Sequence, residues 1–318
     1  MWENDIFPLY NNKTNDKRND EREMKKTNKE KAIIPPIKKR WSFKGYLSGL
    51  LAIFTVGTLP AKANEDILVL ASDLVTDGFD LVWPEGLDRG DVRLRFGVGY
   101  GFKPDYLGSN NLNRAIVPLI EINVQDKLLI QGTKIRYNLT NHQMLRVGPL
   151  VNYKVGRKEK ANDALLGMGS IKDTIEIGLF AEGRWHGLLY SASLRKALGA
   201  KQGTVARLLV GHGLYHGEKT MVITGLRAFW GNAKNNQTNF GVSEQQAQTT
   251  EYDVFRPGSG LNQMEAALYG RYQVMRNVRV EGVMVVGKII GNRAYSPLVA
   301  LRGDDYQFSS GLGVRVDF

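Results

Sequence analysis

His212 and His216 stand four residues apart in an alternating run. On one strand that spacing puts both imidazoles on one face, about 13 Å apart, too far to share a metal ion. They read instead as lumen-facing or turn histidines, and His142 and His186 fall in expected tight turns. Ser191, Ser193, Ser309 and Ser310 could each serve as the nucleophile of a barrel-borne lipid hydrolase. That chemistry needs a histidine and an acid or amide beside the serine, and no spacing in the chain supplies the pairing. Gly97, Gly99 and Gly101 resemble a phosphate-binding glycine loop, but Lys103-Pro104 follows where a helix would have to begin. No residue is assigned to catalysis, to a metal or to a cofactor, so the chain reads as a non-enzyme.

What the chain does display is charge on alternate strand positions. Arg93, Arg95, Arg146, Lys154, Arg195, Arg207, Arg227, Arg271, Arg279 and Arg315 all fall in strand-like runs, as do Glu121, Glu176, Glu182, Glu265 and Glu281. If the basic residues line an open lumen they favour anions, with Arg93, Arg95 and Arg315 as the lumen charge. If the two sets pair, they plug it. Both readings stand on sequence alone.

The elements that must position these residues are strands. The last thirteen residues, YQFSSGLGVRVDF, set Phe308, Leu312, Val314, Val316 and Phe318 on one face, with Gly311, Gly313, Arg315 and Asp317 on the other. One lipid face, one polar face and a terminal aromatic are what a closing strand of a membrane barrel needs. Asp91–Phe102 repeats the pattern, with Val92, Leu94, Phe96, Val98, Tyr100 and Phe102 opposing Arg93, Arg95 and three glycines. Further strands are expected over 113–124, 128–139, 143–156, 173–183, 187–198, 203–216, 219–231, 260–274 and 277–290.

Composition agrees. Hydrophobic content is 42% with 35 glycines and 13 tyrosines, and no apolar run approaches the ~20 residues of a spanning helix. The absence of cysteine suits an oxidising compartment. Net charge is +11. Residues 1–63 hold 13 Lys and Arg against 7 Asp and Glu, so more than half of the excess lies in that segment. The remaining basic residues alternate with apolar ones and form no aromatic-interleaved patch, which argues against nucleic acid.

Residues 1–63 read as an extended basic leader and signal peptide. The basic run Lys38, Lys39, Arg40 and Lys44 precedes an apolar stretch from Tyr46 to Leu59 and then Ala61-Lys62-Ala63, with cleavage expected after Ala63. The basic region is about twice the usual length, so Met1 and Met24 both remain candidate starts. Residues 64–318 form the barrel.

The strands named total eleven, whereas a single-chain barrel with both ends in the periplasm needs an even number. A twelfth is therefore expected between Asn64 and Arg89, around 67–74 or 79–83, to pair with the closing strand; ten strands is the alternative. With Phe318 on the periplasmic side, the long connections 157–172, 232–259 and 291–305 all lie outside, and most tight turns lie inside. The fold class is an all-β transmembrane antiparallel up-and-down barrel of about twelve strands.

The stretch GVGYGFKPDYLGSN resembles the G-x-G-x-x-P-D-Y-x-G-S pattern of the MipA/OmpV family, the MltA-interacting outer-membrane proteins. The residues carrying it are Pro104, Asp105, Tyr106, Gly108 and Ser109. Gly156-Arg157, Gly167-Met168-Gly169, Phe240-Gly241-Val242, and Ser296-Pro297 within Tyr295–Val299 continue the resemblance. Asn239 departs from the second aromatic that the family often carries. The resemblance implies an outer-membrane barrel and a scaffold that joins a lytic transglycosylase to a murein synthase. A small-solute porin is the alternative, and a lipid hydrolase a more distant one. Phe318 matches the C-terminal insertion signal that such proteins present to the barrel-assembly machinery. The expected surroundings are the lipid bilayer of the bacterial outer membrane.

Overall fold

The computed structural model describes residues 92–140, 142 and 144–318. The expected cleavage site at Ala63 and the strand expected before Arg89 lie outside them.

Twelve antiparallel strands close into one barrel: β1 (Val92–Pro104), β2 (Leu112–Val124), β3 (Leu128–Gln131), β4 (Lys134–Tyr137), β5 (Arg146–Lys154), β6 (Thr174–Trp185), β7 (Leu188–Ala197), β8 (Thr204–His216), β9 (Thr220–Gly231), β10 (Gly260–Met275), β11 (Val278–Ile289) and β12 (Tyr306–Asp317). Most run 9 to 16 residues, the length a tilted strand needs to cross a bilayer. Side chains alternate in and out. On β12, Leu312, Val314 and Phe318 are exposed on the outer surface, while Gln307 and Arg315 are buried inside. The outer surface is apolar, as lipid requires.

The number twelve agrees with expectation, but two of its sources do not. Residues 128–139 form two strands, not one. Gly132 (φ 52) turns the chain after Gln131, and Gln131 pairs with Lys134 across a two-residue loop. Glycine at the first central position suits a hairpin turn of type II′. The sequence carries a trace of this turn, because the apolar phase slips from Leu128 and Ile130 to Ile135 and Tyr137 across Gly132. The closing strand, in turn, pairs with β1 and not with a strand before Arg89; Val98 faces Val314 and Gly101 faces Gly311.

Glycine shapes the seam where the sheet closes. A Cβ on Gly97 would lie 2.2 Å from the Val314 carbonyl oxygen, and one on Gly313 would meet the Leu119 side chain at 2.6 Å. The β1 and β12 glycines thus make room for Leu119, which packs inward with Ala115, Val117, Ala267, Val283 and Val285. A second apolar cluster, of Leu189, Leu209, Met221, Ile223 and Tyr269, fills the β7–β10 side.

The turns at Gln125-Asp126 and His186-Gly187 use positive φ. Both lie at the end that carries Phe318, as does the β8–β9 turn. The connections 155–173, 232–259 and 290–305 gather at the other end and hold α1 (Ala233–Phe240), α2 (Glu244–Thr249) and α3 (Pro297–Ala300). Short periplasmic turns and longer external loops orient the barrel.

Candidate functional site

The inward rows carry the chemistry. Lysine and arginine outnumber aspartate and glutamate there by more than two to one, and the carboxylates present are heavily shared. Glu121 on β2 binds Arg95 at 2.6 Å and Arg315 at 3.1 Å. Arg315 reaches on to Glu281 at 3.4 Å, and Glu281 meets Arg279 Nε at 3.3 Å. Asp317 joins Arg279 and Arg95 and so closes the circuit over β1, β2, β11 and β12. Opposite this network, Glu182 binds Arg136 at 2.7 Å and Arg146 at 3.5 Å. Higher up, Glu176 holds Arg195 at 3.4 Å and Lys154 at 3.6 Å and accepts from Asn152. Arg227 pairs with Glu265, and Phe229 lies under both Arg227 and Arg207.

These groups are out of water: the Glu176, Glu182, Arg195 and Arg279 side chains are each only 2% exposed. At that depth an ion pair braces the wall because neither partner can be left alone. Of the three arginines expected to line the lumen, Arg95 and Arg315 lie in the first network. Arg93 faces inward at the periplasmic end, partly exposed and without an ion pair among the described residues.

The external end is covered. Pro104 ends β1, and the loop after it turns through Gly108 (φ 102). Asp105 accepts from Asn162 Nδ2 at 2.9 Å, and the Tyr106 hydroxyl donates to the Leu298 carbonyl at 3.0 Å. Gly108 donates to Gln307 Oε1 and accepts from Asp304 N–H. Ser109 is buried, and its hydroxyl accepts from Asn111 N–H. Ser296 donates to the Phe240 carbonyl at 2.6 Å, and Pro297 opens α3. The P-D-Y-x-G-S and S-P-L-V stretches therefore meet, although nearly two hundred residues separate them.

Around Tyr106 the loops build a small core of Leu165, Met168, Val242, Tyr252 and Leu298. Tyr252 donates to Ala164 O, and Gln246 donates to Met168 O. Burial pushes the Tyr106 hydroxyl up to about 12 and draws Arg157 down to about 10. Sequence reasoning did not single out Tyr252, Leu165 or the buried Asn235 and Asn236. The signal for Leu165 and Tyr252 is apolar residues recurring within otherwise polar loops; Asn235 and Asn236 carry none.

The remaining candidates are not brought together. His212 and His216 do not share a face, because a register shift between Gly213 and Tyr215 inserts a bulge between them. Among the described residues no three His, Cys, Asp or Glu side chains converge on a metal position. Ser191 lies across from Glu182 and Leu209, Ser193 from Phe180 and Arg207, and Ser309 and Ser310 from Val285 and Met284. None of the four has a histidine as its cross-strand neighbour. Gly97, Gly99 and Gly101 are strand residues at the barrel seam. Phe318 lies on the outer surface, edge-on to Phe96 at 5.9 Å, with its N–H donating to Leu94 O.

Among solved structures, the barrel is similar to the outer-membrane protein OmpT of Vibrio cholerae at 11% identity and a TM-score of 0.35, over 74% of this chain and 99% of that one. It is also similar to the KdgM porin (7%, 0.36, 70% and 99%) and to the COG4313 outer membrane channel of Pseudomonas putida F1 (12%, 0.33, 74% and 100%). No curated protein matches the sequence. A profile described as MltA-interacting protein MipA matches residues 96–318, a span that takes in all but the first residues of β1 and every external loop. The chain is an outer-membrane β-barrel and belongs to the MipA family.

Proposed function

We propose that the protein is a non-conducting outer-membrane scaffold that binds peptidoglycan-remodelling enzymes through its periplasmic turns. The observation that carries this reading is that inward charges are paired and buried and that inward apolar residues pack into clusters. Ion-pair networks and two apolar clusters occupy the interior, and packed loops cover the external mouth. Such a body offers partners a rigid rim. The family's description as MltA-interacting supports a lytic transglycosylase as one partner; a murein synthase completes the scaffold that this reading expects. Phe318 at the end of β12 is assigned to recognition by the barrel-assembly machinery.

The test is affinity capture from crosslinked cells. A transglycosylase or a murein synthase should be recovered, and its recovery should fall when the turn residues Arg276 and Asn277 are replaced. Repeated capture without either enzyme defeats the reading.

The cation excess favours one second reading, a narrow anion path. In planar bilayers the wild-type protein should be silent if it is a scaffold. An anion-selective conductance that reverses in Arg93→Glu would establish the channel instead.

A further inference from the structure

One stretch of the wall is only half built. β1 and β2 pair over their full length, from Val92–Val124 to Pro104–Leu112. On its other side β2 pairs with β3 only from Glu121 to Val124, and the last bond upward runs from Gly132 N–H to Ile120 O. The β3–β4 hairpin stops there, about midway up the wall, and the next strand, β5, meets its tip through Tyr153 N–H to Thr133 O. Above the tip, Leu112–Leu119 have no strand on that side among the described residues. The result is a notch in the outer-leaflet half, closed at the top by the Asn162 to Asp105 hydrogen bond.

Peptide groups alternate sides along a strand. Those of Pro118, Ile116 and Arg114 therefore point into the notch, on the same side as the Ile120 carbonyl. Pro118 brings no N–H, which discourages another strand from adding there. The side chains along this edge face lipid, with Leu112 and Ile116 exposed. At the top of the row stands Arg114, an exposed cation on the lipid face. Its guanidinium lies 5.9 Å from the Phe102 ring centroid, and it has no carboxylate partner among the described residues. A lipid-facing arginine at the membrane rim is placed to bind an anionic headgroup.

We propose that the notch seats one phosphorylated, N-acylated glycolipid of the outer leaflet. Its phosphate lies on Arg114, and an acyl chain runs down Ile116, Pro118 and Ile120. The chemistry of the edge selects this class over a glycerophospholipid. Among the described residues, the carbonyls and N–H groups of Arg114 and Ile116 have no backbone partner on this side. At the depth of the acyl linkages, the amide and hydroxyl of an N-acylated sugar can both donate to and accept from them, whereas the ester linkages of a glycerophospholipid, whose donors lie out in the headgroup, only accept. The inference is independent of the scaffold reading, since it concerns the opposite end of the barrel.

Native mass spectrometry of the full chain in mild detergent tests it, with bis-phosphorylated lipid A and phosphatidylglycerol as the probes. One equivalent of lipid A should bind about tenfold more tightly than phosphatidylglycerol. Arg114→Glu should lose at least that factor, while Lys196→Glu, on the outer face of β7, should leave binding unchanged. Extending the hairpin by three residues on each side of Gly132-Thr133 should also abolish binding. Ile116→Trp fills the notch without lengthening the chain and replaces the hairpin variant if that fails to assemble. Equal binding of the two lipids, equal loss in Lys196→Glu, or full binding by Arg114→Glu would each overturn the proposal.

Discussion

The Tyr106 hydroxyl donates to the carbonyl of Leu298 at 3.0 Å, joining residues 192 positions apart. The bond ties the loop after β1 to the loop before β12, the two strands that close the barrel. Tyr106→Phe removes one buried hydrogen bond and should cost about 1 kcal/mol. Tyr106→Ala also opens a cavity in the external core and should cost about 3–5 kcal/mol. Limited proteolysis of intact cells reports the difference as earlier cleavage in 232–259; identical digestion patterns would count against the contact.

The same hydroxyl predicts a response to alkali. Burial raises Tyr106 to about 12 from an ordinary 10. Its neutral form is thus the one the fold holds, and the stability it lends is complete below pH 10 and lost as pH rises toward 12. Loop accessibility in the wild type should increase over that window, and Tyr106→Phe should respond less over the same range. A wild type indifferent between pH 10 and 12 contradicts the burial.

Glu121 is the shared acceptor of Arg95 and Arg315. Glu121→Leu leaves two guanidinium groups inside the periplasmic half of the barrel with one carboxylate fewer, and should destabilise by about 3–5 kcal/mol. The measurement is the midpoint of urea unfolding, followed by the heat-modifiable gel shift. Glu244→Leu, which breaks an exposed loop pair with Arg256, should change it by less than about 1 kcal/mol.

Glycine at the seam is a steric requirement. Gly97→Val would drive a side chain into the Val314 carbonyl, 2.2 Å from the Cβ position, whereas a Cβ on Gly270 meets nothing within 4 Å. Gly97→Val should sharply reduce folded barrel in outer-membrane fractions, and Gly270→Ala should not. Equal yields would show that the seam is looser than its geometry.

Removing Phe318 takes away the aromatic contact with Phe96 and the N–H bond to Leu94. Outer-membrane yield should fall severalfold, while barrel that does insert keeps its unfolding midpoint to within about 1 kcal/mol. A lowered midpoint with normal yield would assign Phe318 to closure alone.

Period-two alternation determined much of this protein without help from the structure. It located β1, β2 and β5–β12, the outward row ending at Phe318, and the set of charges that face one another, because a strand's two faces follow from pleat geometry alone. It also placed the three long connections at one end. It could not determine partnership. Leu128–Leu139 keeps enough alternation to pass as one strand; the slip of apolar phase across Gly132 is its one sequence trace of a turn, and the pairing of Gln131 with Lys134 establishes it. His212 and His216 look like a same-face pair until a bulge, invisible to spacing, separates them. Sequence left open whether Arg95 and Arg315 line an open channel or bind Glu121, because that depends on which strands meet across the seam. The external core was legible only as scattered motifs. Tyr106 and Leu298 come together because the barrel closes β12 onto β1, and closure is a property of the whole chain.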